Sequence, residues 1–370
     1  MIRHLGDSIA VPSIGQGTGY EIKNRKEQFQ ISNGLLKAIE LGLNFIDTAE
    51  NYSNGLCEIA VSRAIKKNRQ KIIVASKFSP ENSSCQKVIN SCNQSLIRLK
   101  TDYIDLYQIH WPNPSINLEE TISAMVKLKK QGKVREIGIS NFSIFDLNKY
   151  KGLLIGSKIA SLQCEYNLFE KTVEEDGTLK FCEDNNLLFI AYSPLDQGRF
   201  LAFNKDQQRI LDNLSKKYHK THAQIILSWL TRWTFVTAIV KTSNVSHLLE
   251  NADILNFNIE KLDNKILDKA FFQKTVLIDT RKIMVSENGE RSREVYTDIG
   301  QAISNKYNYI PSPEILAKSL KEGSFLRPVR LVPVKGTEKY LLINGRIRYW
   351  AWVIAFGTKK PIPALIRNNL

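Results

Sequence analysis

Short apolar runs alternate with amphipathic stretches through the first 255 residues. Candidate strands are VPSIGQGT, NFID, KIIVAS, YIDLYQIH, VREIGIS, IASLQ, LLFIAY and VTAIVK. Between them lie helical patterns such as LEETISAMVKLKKQG (residues 118 to 132), with Gly132 at the C-terminal stop. Eight short, mostly apolar strands with intervening helices predict a parallel sheet covered on its outer side. An open doubly wound sheet would carry a GxGxxG turn after a strand for dinucleotide phosphates. GQGTGY at residues 15 to 20 has neither that spacing nor a following helix. The pattern therefore predicts a closed α/β fold, the (β/α)8 TIM barrel.

After Phe271 the pattern changes. IEKLDNKILDKAFF (residues 259 to 272) reads as a terminal helix with Leu262, Ile266, Leu267 and Phe271 on one face, and no Gly- or Pro-rich linker follows. VLIDTRKIMVSE opens a strand-rich segment. Ser312 and Pro313 form an N-cap and first-turn pair for PEILAKSLKEG, which Gly323 ends. PVRLVPV and YLLIN, joined through KGTEK, predict a hairpin whose second strand runs into Asn344-Gly345 and the helix RIRYWAWVIAFG. The expected division is residues 1–272 for the barrel and 273–370 for a smaller α+β domain, as a chain of 370 residues allows.

Composition narrows the class. The five cysteines (Cys57, Cys85, Cys92, Cys164, Cys182) show neither CxxC pairing nor zinc-site Cys/His spacing, which predicts no metal and fits a reducing cytoplasm. The start MIRHLGDSIAVPS lacks the apolar core of a secretory signal. The longest apolar run, YWAWVIAF, is far short of the ~20 residues that span a bilayer, so no membrane partner is expected. Of the net charge of +15, residues 274 to 370 carry +9. A basic surface concentrates any polyanion without implying sequence-specific recognition, and DNA is not an expected partner.

Seven of the eight candidate strands end on, or run directly into, a polar residue: Asp47, Lys77, His110, Asn141, Gln163, Tyr192, Lys241. Polar groups at one end of successive parallel strands mark an active site. With Tyr52 of NFIDTAENYSNG, the residues Asp47, Lys77 and His110 resemble the tetrad of the aldo-keto reductases, which implies carbonyl reduction. Hydride arriving at a carbonyl carbon leaves negative charge on oxygen, so a donor must hydrogen-bond and protonate that oxygen. Tyr52, in the loop after NFID, is the candidate acid. A free phenol near pKa ~10 is a reluctant proton source, but the Lys77 ammonium would stabilise its phenolate. Asp47 would pair with Lys77, whose burial alone would be costly, and His110 would orient the carbonyl. The resemblance, carried by NFIDTAENYSNG, IVASK and DYIDLYQIHWP, extends over roughly residues 5 to 260.

That resemblance implies an NADP (NADPH) cofactor and a small-molecule carbonyl substrate. It assigns Ser140 and Asn141 of EIGISNF and Gln163 of SLQCEYN to the nicotinamide carboxamide, and Tyr192 of AYSPL to the nicotinamide ring. Ser193 and Leu195 would line the pyrophosphate. Lys241, Thr242 and Ser243 of VKTSN would meet the 2′-phosphate, and Glu250 and Asn251 of LLEN the adenine. Many NADP-specific members carry an Arg six residues after the lysine; this chain has His247, whose imidazole cannot make guanidinium's forked ion pair. NADPH preference is therefore expected to rest on Lys241. The family's Gly-Lys-Tyr-like element over the pyrophosphate is absent from DQGRFLAFNKDQQ (residues 196 to 208), where Arg199 either reaches phosphate or is solvated.

The segment Val276 to Arg367 resembles the amino-terminal domain of the ParB family and the related sulfiredoxin fold, through LAKSLKEGSFLRPVRLVPV, YLLINGRIRYWAW and PIPALI. A strand, a glycine and an arginine-rich helix start form a physical anion site. The family's Gly-x-x-Arg, a nucleotide-phosphate motif, is matched by Gly345 and Arg348. Arg346 lies about 200° from Arg348 around a helix, so Arg348 is the favoured phosphate ligand of the two. ATP or CTP with Mg is the implied nucleotide, and Glu287, Glu290 and Glu294 are candidate acid or base residues. Ile347 and Arg346 depart from the residues usual at their positions.

Three functions follow: a reductase with an appended nucleotide kinase or sensor, an NADPH-holding regulatory protein with little turnover, and a DNA-associated protein. Tyr52 and His110 favour the first over the second. Against the third, no helix-turn-helix pattern follows Arg367.

Overall fold

The computed structural model describes residues 3–196, 198, 203–286, 296–324 and 326–367. The chain divides into two compact units, Met1–Phe200 with Asp206–Ala270, and Leu201–Lys205 with Phe271–Leu370.

The first unit opens with a hairpin of β1 (Arg3–Leu5) and β2 (Ile9–Val11), antiparallel to one another. Eight parallel strands follow: β3 (Ile14–Gly17), β4 (Phe45–Asp47), β5 (Ile73–Phe78), β6 (Ile104–Ile109), β7 (Val134–Ser140), β8 (Ser161–Glu165), β9 (Leu188–Tyr192) and β10 (Val236–Val240). They pair in sequence order, and β10 returns to β3 to close the barrel. The expected (β/α)8 barrel is thus present. The run VPSIGQGT is split, however: Val11 belongs to the hairpin, and the barrel strand starts only at Ile14. Pro12 cannot donate to a ladder, so the two strands part there. Arg3 is buried in the hairpin because its guanidinium donates to the carbonyls of Thr231, Trp233 and Val236.

Side chains fill the barrel in layers. Phe45, Ile73, Ala75, Leu106, Ala160, Leu188, Ile190 and Ile239 pack with hairpin residues Leu5 and Val11. Toward the C-terminal ends of the strands the interior becomes polar, with Gln16, Gln108, Ser161 and Gln163 all buried. Gly138 on β7 permits this layer, since a Cβ there would collide with Ser161 Oγ. At the opposite end, a cleft of about 720 Å3 is lined by Asn44, Ile72, Ile73, Asp105, Val134 and Arg135, among others. Asp105 forms ion pairs there with Arg69 at 2.7 Å and Arg135 at 3.2 Å.

The terminal helix of this unit spans Lys261–Ala270, and its inward face matches the expected one at Leu267, with Phe271 after it also buried, but not at Leu262 and Ile266. Leu262 and Ile266 are exposed, while Asp263 and Leu267 are buried. Asp263 accepts hydrogen bonds from Lys217, at 2.8 Å, and from Tyr218. The i, i+4 stripe of Asp263 and Leu267 faces inward because two partners satisfy the carboxylate. Apolar periodicity alone could not anticipate that.

The second unit is a mixed five-stranded sheet of β11 (Val276–Ile278), β12 (Ile283–Val285), β13 (Val329–Pro333), β14 (Tyr340–Asn344) and β15 (Ile362–Ile366), in the order β11-β15-β13-β14-β12. Val329, Leu331, Leu342, Ile362 and Ala364 pack with Tyr349, Trp350 and Val353 of the helix Arg346–Phe356. The hairpin forms as expected, with β13 antiparallel to β14. Ser312 caps the helix Pro313–Lys321 by accepting from the amide of Ile315. Arg199, Glu287, Glu290 and Glu294 lie outside the described residues.

Candidate active site

The closed strand order brings the strand-end polar residues to one rim of the barrel. Asp47 ends β4 and Lys77 is the penultimate residue of β5. The Lys77 ammonium is 2.8 Å from Asp47 Oδ2 and also donates to the Thr48 carbonyl at 2.9 Å. Both side chains are almost fully buried. Burial acts to lower the Lys77 pKa, but the Asp47 carboxylate and the Tyr52 phenol outweigh it, so the ammonium is held above its ordinary range.

Tyr52 opens a 3-10 turn, Tyr52–Gly55, in which Ser53 and Asn54 take left-handed backbone angles. The turn carries the phenol over the Lys77 ammonium, which stands 5.1 Å from the ring centre. Burial pushes the phenol above its ordinary pKa, and the charge of Lys77 acts in the opposite direction. The result is a protonated phenol beside a charged amine. His110, directly after β6, meets the Tyr52 ring edge-on with centroids 5.6 Å apart. Asp47, Tyr52, Lys77 and His110 are therefore brought together. This cluster can donate a proton to an oxygen at the rim and spread the charge left behind.

The rim continues around the barrel. Asn141 takes φ +64, a left-handed geometry that asparagine tolerates. Its amide nitrogen donates to the His110 carbonyl and Ser140 Oγ, both at 3.0 Å. Its Oδ1 accepts from the Tyr192 hydroxyl at 2.9 Å, which fixes the Tyr192 ring. Gln163 points inward, donating to Asp47 Oδ1 at 3.1 Å. Ser193, at φ +50, turns the chain after β9 and accepts from Asn167 through its carbonyl; Leu195 follows in the same turn.

Lys241 follows β10 and donates to the Gly19 carbonyl at 3.0 Å, with its amine 5.0 Å from the centre of the Tyr20 ring. Thr242 accepts from Gln16 through its carbonyl at 2.7 Å. Ser243 packs where helix Arg25–Glu40 passes at Gly34, and Ser243 and His247 are exposed. Asn244 caps the helix Val245–Asp253. Two residues assigned to the adenine make contacts within the protein: Glu250 accepts from Thr221 at 3.3 Å, and Asn251 is buried.

Several members of this network lacked a motif to mark them. Gln108 donates to Gln163 Oε1 at 3.5 Å, and Thr18 ties β3 to the Asp47 carbonyl through both its amide and hydroxyl at 3.0 Å. The available signal was a glutamine inside an otherwise apolar strand, in Gln16 and again in Gln108.

Residues 13–271 match the model of the Aldo/keto reductase family. The chain belongs to the aldo/keto reductase family. It is 36% identical over 271 residues to methylglyoxal reductase YeaE of Escherichia coli (strain K12), covering 73% of this chain and 94% of that protein. It is 31% identical to the glyoxal reductase of Bacillus subtilis (strain 168), over 71% of this chain and 90% of that one. Among solved structures it is similar to an aldo/keto reductase from Klebsiella pneumoniae in complex with NADP and acetate, with 33% identity, a TM-score of 0.69, and coverage of 73% of this chain and 95% of that chain. The aldo-keto reductase unit thus accounts for the barrel, while the family match ends as the second unit begins. Among the described residues there is no group of side chains able to hold a metal ion, and no helix long and apolar enough to cross a membrane. None of the five cysteines is joined in a disulfide.

In the second unit, Gly345 takes φ +97 and opens the helix Arg346–Phe356. Arg346 is buried. The Arg348 guanidinium donates to the carbonyls of Arg327 at 3.0 Å and Pro328 at 2.8 Å, and to Asn344 Oδ1 at 3.1 Å. The expected phosphate ligand is in this structure a clamp on the chain entering β13, and it folds against Gly345, leaving a Cβ there only 3.0 Å from its Nη2.

Proposed function

We propose that the barrel reduces small aldehydes and α-dicarbonyl compounds such as methylglyoxal with NADPH, in a reducing compartment such as the cytoplasm. The observation that carries this reading is the protonated Tyr52 phenol held beside the Lys77 ammonium, itself paired with Asp47. The names of the relatives as methylglyoxal and glyoxal reductases support the substrate class. Cysteines without disulfides suit the compartment.

The rim fits a nicotinamide dinucleotide. Tyr192 offers a flat ring fixed by Asn141, with the Ser140 hydroxyl beside it, and Lys241 stands exposed before a capped helix start. Gln163, bonded to Asp47, would steady the carboxylate as well as meet the carboxamide. Ser193 and Leu195 would line the pyrophosphate. Lys241, Thr242 and Ser243 would meet the 2′-phosphate, with His247 close by, and Glu250 and Asn251 would border the adenine. Bound NADPH supplies the hydride. Tyr52 then gives its proton to the carbonyl oxygen, so that hydride and proton together make the alcohol. The Tyr52 phenolate is stabilised by Lys77 until water at the rim returns a proton, and His110 holds the carbonyl oxygen in line.

The arrangement favours turnover over a sensor that merely holds the cofactor, because binding alone needs neither Tyr52 nor His110. The test is consumption of NADPH on adding methylglyoxal to the purified chain, with NADPH and NADH compared.

For residues 273–370 we propose a ParB/sulfiredoxin-like domain that takes nucleotide phosphates, ATP or CTP with Mg, at Gly345, Arg346 and Arg348, acting as kinase or sensor for the reductase. The left-handed Gly345 at the start of an eleven-residue helix supports it. Three Arg348 donors are already used within the protein, so the helix amides carry more of the proposal than that guanidinium does.

A further inference from the structure

Glu58 and Arg98 form an ion pair inside the barrel unit, outside the tetrad. Glu58 lies in the first turn of the helix Leu56–Ile65 and is wholly buried. Its Oε2 is 2.6 Å from Nε of Arg98, in the last turn of the helix Cys85–Leu99. Its Oε1 accepts from Ser76 Oγ at 2.6 Å, and Arg98 also donates to Ser95 Oγ at 3.2 Å. The attraction within such a pair does little more than offset the cost of drying the charges, so stability alone is a weak account of it.

Each end of the pair touches a segment that carries a tetrad residue. Ser76 precedes Lys77 on β5, and successive side chains of a strand point to opposite faces. Lys77 turns inward to Asp47, so Ser76 turns outward to the helices, where Glu58 holds it. Arg98 lies on Gly55, the last residue of the turn that begins at Tyr52. A Cβ built on Gly55 would stand 2.5 Å from Arg98 Cδ and 2.7 Å from its Nε, so the arginine stem fills the space any other residue would need.

The turn needs such a hold. Ser53 (φ +46), Asn54 (φ +52) and Gly55 (φ +84) are all left-handed, a conformation that only glycine takes without cost. Strained residues persist where their surroundings fix them. Ser53 is fixed through its Oγ, which donates to the Tyr20 carbonyl and accepts from the Ile22 amide, both at 2.8 Å. The far end is fixed by Arg98 over Gly55, and Arg98 is fixed by Glu58.

We propose that Glu58 and Arg98 are positioning residues for proton transfer: the pair ties the Tyr52–Gly55 turn to the strand of Lys77, and so sets the phenol over the ammonium and in line with the substrate carbonyl. This rests on the carbonyl-reductase reading with Tyr52 as the acid. Both residues act through Tyr52 and Lys77. A misplacement of about 1 Å at the reacting atoms can cost about a hundredfold in rate, while cofactor binding, which uses the ends of other strands, is spared.

The test is turnover of methylglyoxal and NADPH by Arg98→Ala in the full chain. Expressing kcat per NADPH-binding site, counted by fluorescence titration, removes any loss of folded protein. kcat should fall about 10- to 100-fold, while the NADPH dissociation constant stays within about twofold. Arg98→Lys, which keeps the charge for Glu58 and most of the stem, should recover most of that loss. In a Tyr52→Phe background the proton donor is already gone, so Arg98→Ala should lower the residual turnover less than about threefold, since effects exerted through one group do not add. Where Arg98→Ala binds no NADPH, Glu58→Gln takes its place: it keeps an acceptor for Ser76, removes the charge that holds Arg98, and should show the same pattern. A wild-type kcat per site in the variant, or an equal loss with and without the Tyr52 hydroxyl, would overturn the positioning role and leave the reductase reading standing. A wild type that does not oxidise NADPH with methylglyoxal would overturn both.

Discussion

Lys77 and Asp47 form a buried ion pair, Nζ to Oδ2 at 2.8 Å, in which the amine is also aimed at the ring of Tyr52. The carboxylate has a second partner in Gln163, so neither charge is left to burial alone. Removing one partner of such a pair strands the other charge, at a cost of about 3–5 kcal/mol. Asp47→Asn is accordingly expected to lower the melting temperature and reduce kcat together. A variant with wild-type stability and kcat, measured by calorimetry and NADPH consumption, would mean that the pair is neither needed for folding nor for positioning Lys77.

The acid role of Tyr52 fixes the pH profile. Reduction needs the protonated phenol, and burial holds its pKa above the ordinary ~10 even though Lys77 pulls it down. Activity from this group is fully present below that range and lost as pH rises through the folded pKa. Profiles of kcat/KM should therefore stay flat through neutrality and fall only on the alkaline side. In Lys77→Met the opposing charge is gone, so the residual activity should show its alkaline fall at still higher pH. An unmoved fall would assign the titration to another group.

Cofactor preference is expected to rest on Lys241, since His247 stands exposed on the following helix and lacks guanidinium's fork. Loss of one charged hydrogen bond is worth about 1.5–3 kcal/mol. Lys241→Ala should weaken NADPH binding by about ten- to a hundredfold and leave NADH nearly unchanged, read by fluorescence titration. Equal or better binding of NADH by the wild type would contradict the preference.

In the second unit, Arg348 joins the start of a helix to the chain before β13 through three hydrogen bonds. Arg348→Ala leaves acceptors without their donor, a loss of about 1–3 kcal/mol, so thermal stability of that unit should fall while NADPH affinity stays the same. ATP or CTP with Mg should raise the melting temperature of the wild-type chain. Unchanged melting with every nucleotide would remove the phosphate site.

Much of the barrel could be read from sequence because most strands are short apolar runs that end on, or run directly into, a polar residue, and the closed sheet gathers those ends at one rim. Asp47, Lys77 and His110 could be placed this way since strand termini are marked by the change of pattern. Other features depended on partners distant in the chain. Gln163 turns toward Asp47, 116 residues away, and Asp263 is buried because Lys217 and Tyr218 reach it. The hairpin of Arg3–Leu5 and Ile9–Val11 was hidden because its strands are three residues long and its buried arginine looks polar. Arg348 could be placed at a helix start from sequence, but the carbonyls of Arg327 and Pro328 that its guanidinium meets could not, because they come from a segment some twenty residues earlier.

The central claim is that the Tyr52 hydroxyl supplies the proton. The most direct measurement is NADPH-dependent reduction of methylglyoxal by Tyr52→Phe, paired with an NADPH fluorescence titration of the same protein. The account predicts that kcat/KM falls by about 10²–10⁴ while NADPH affinity stays within about twofold. Turnover near the wild-type rate, with cofactor binding intact, would contradict it.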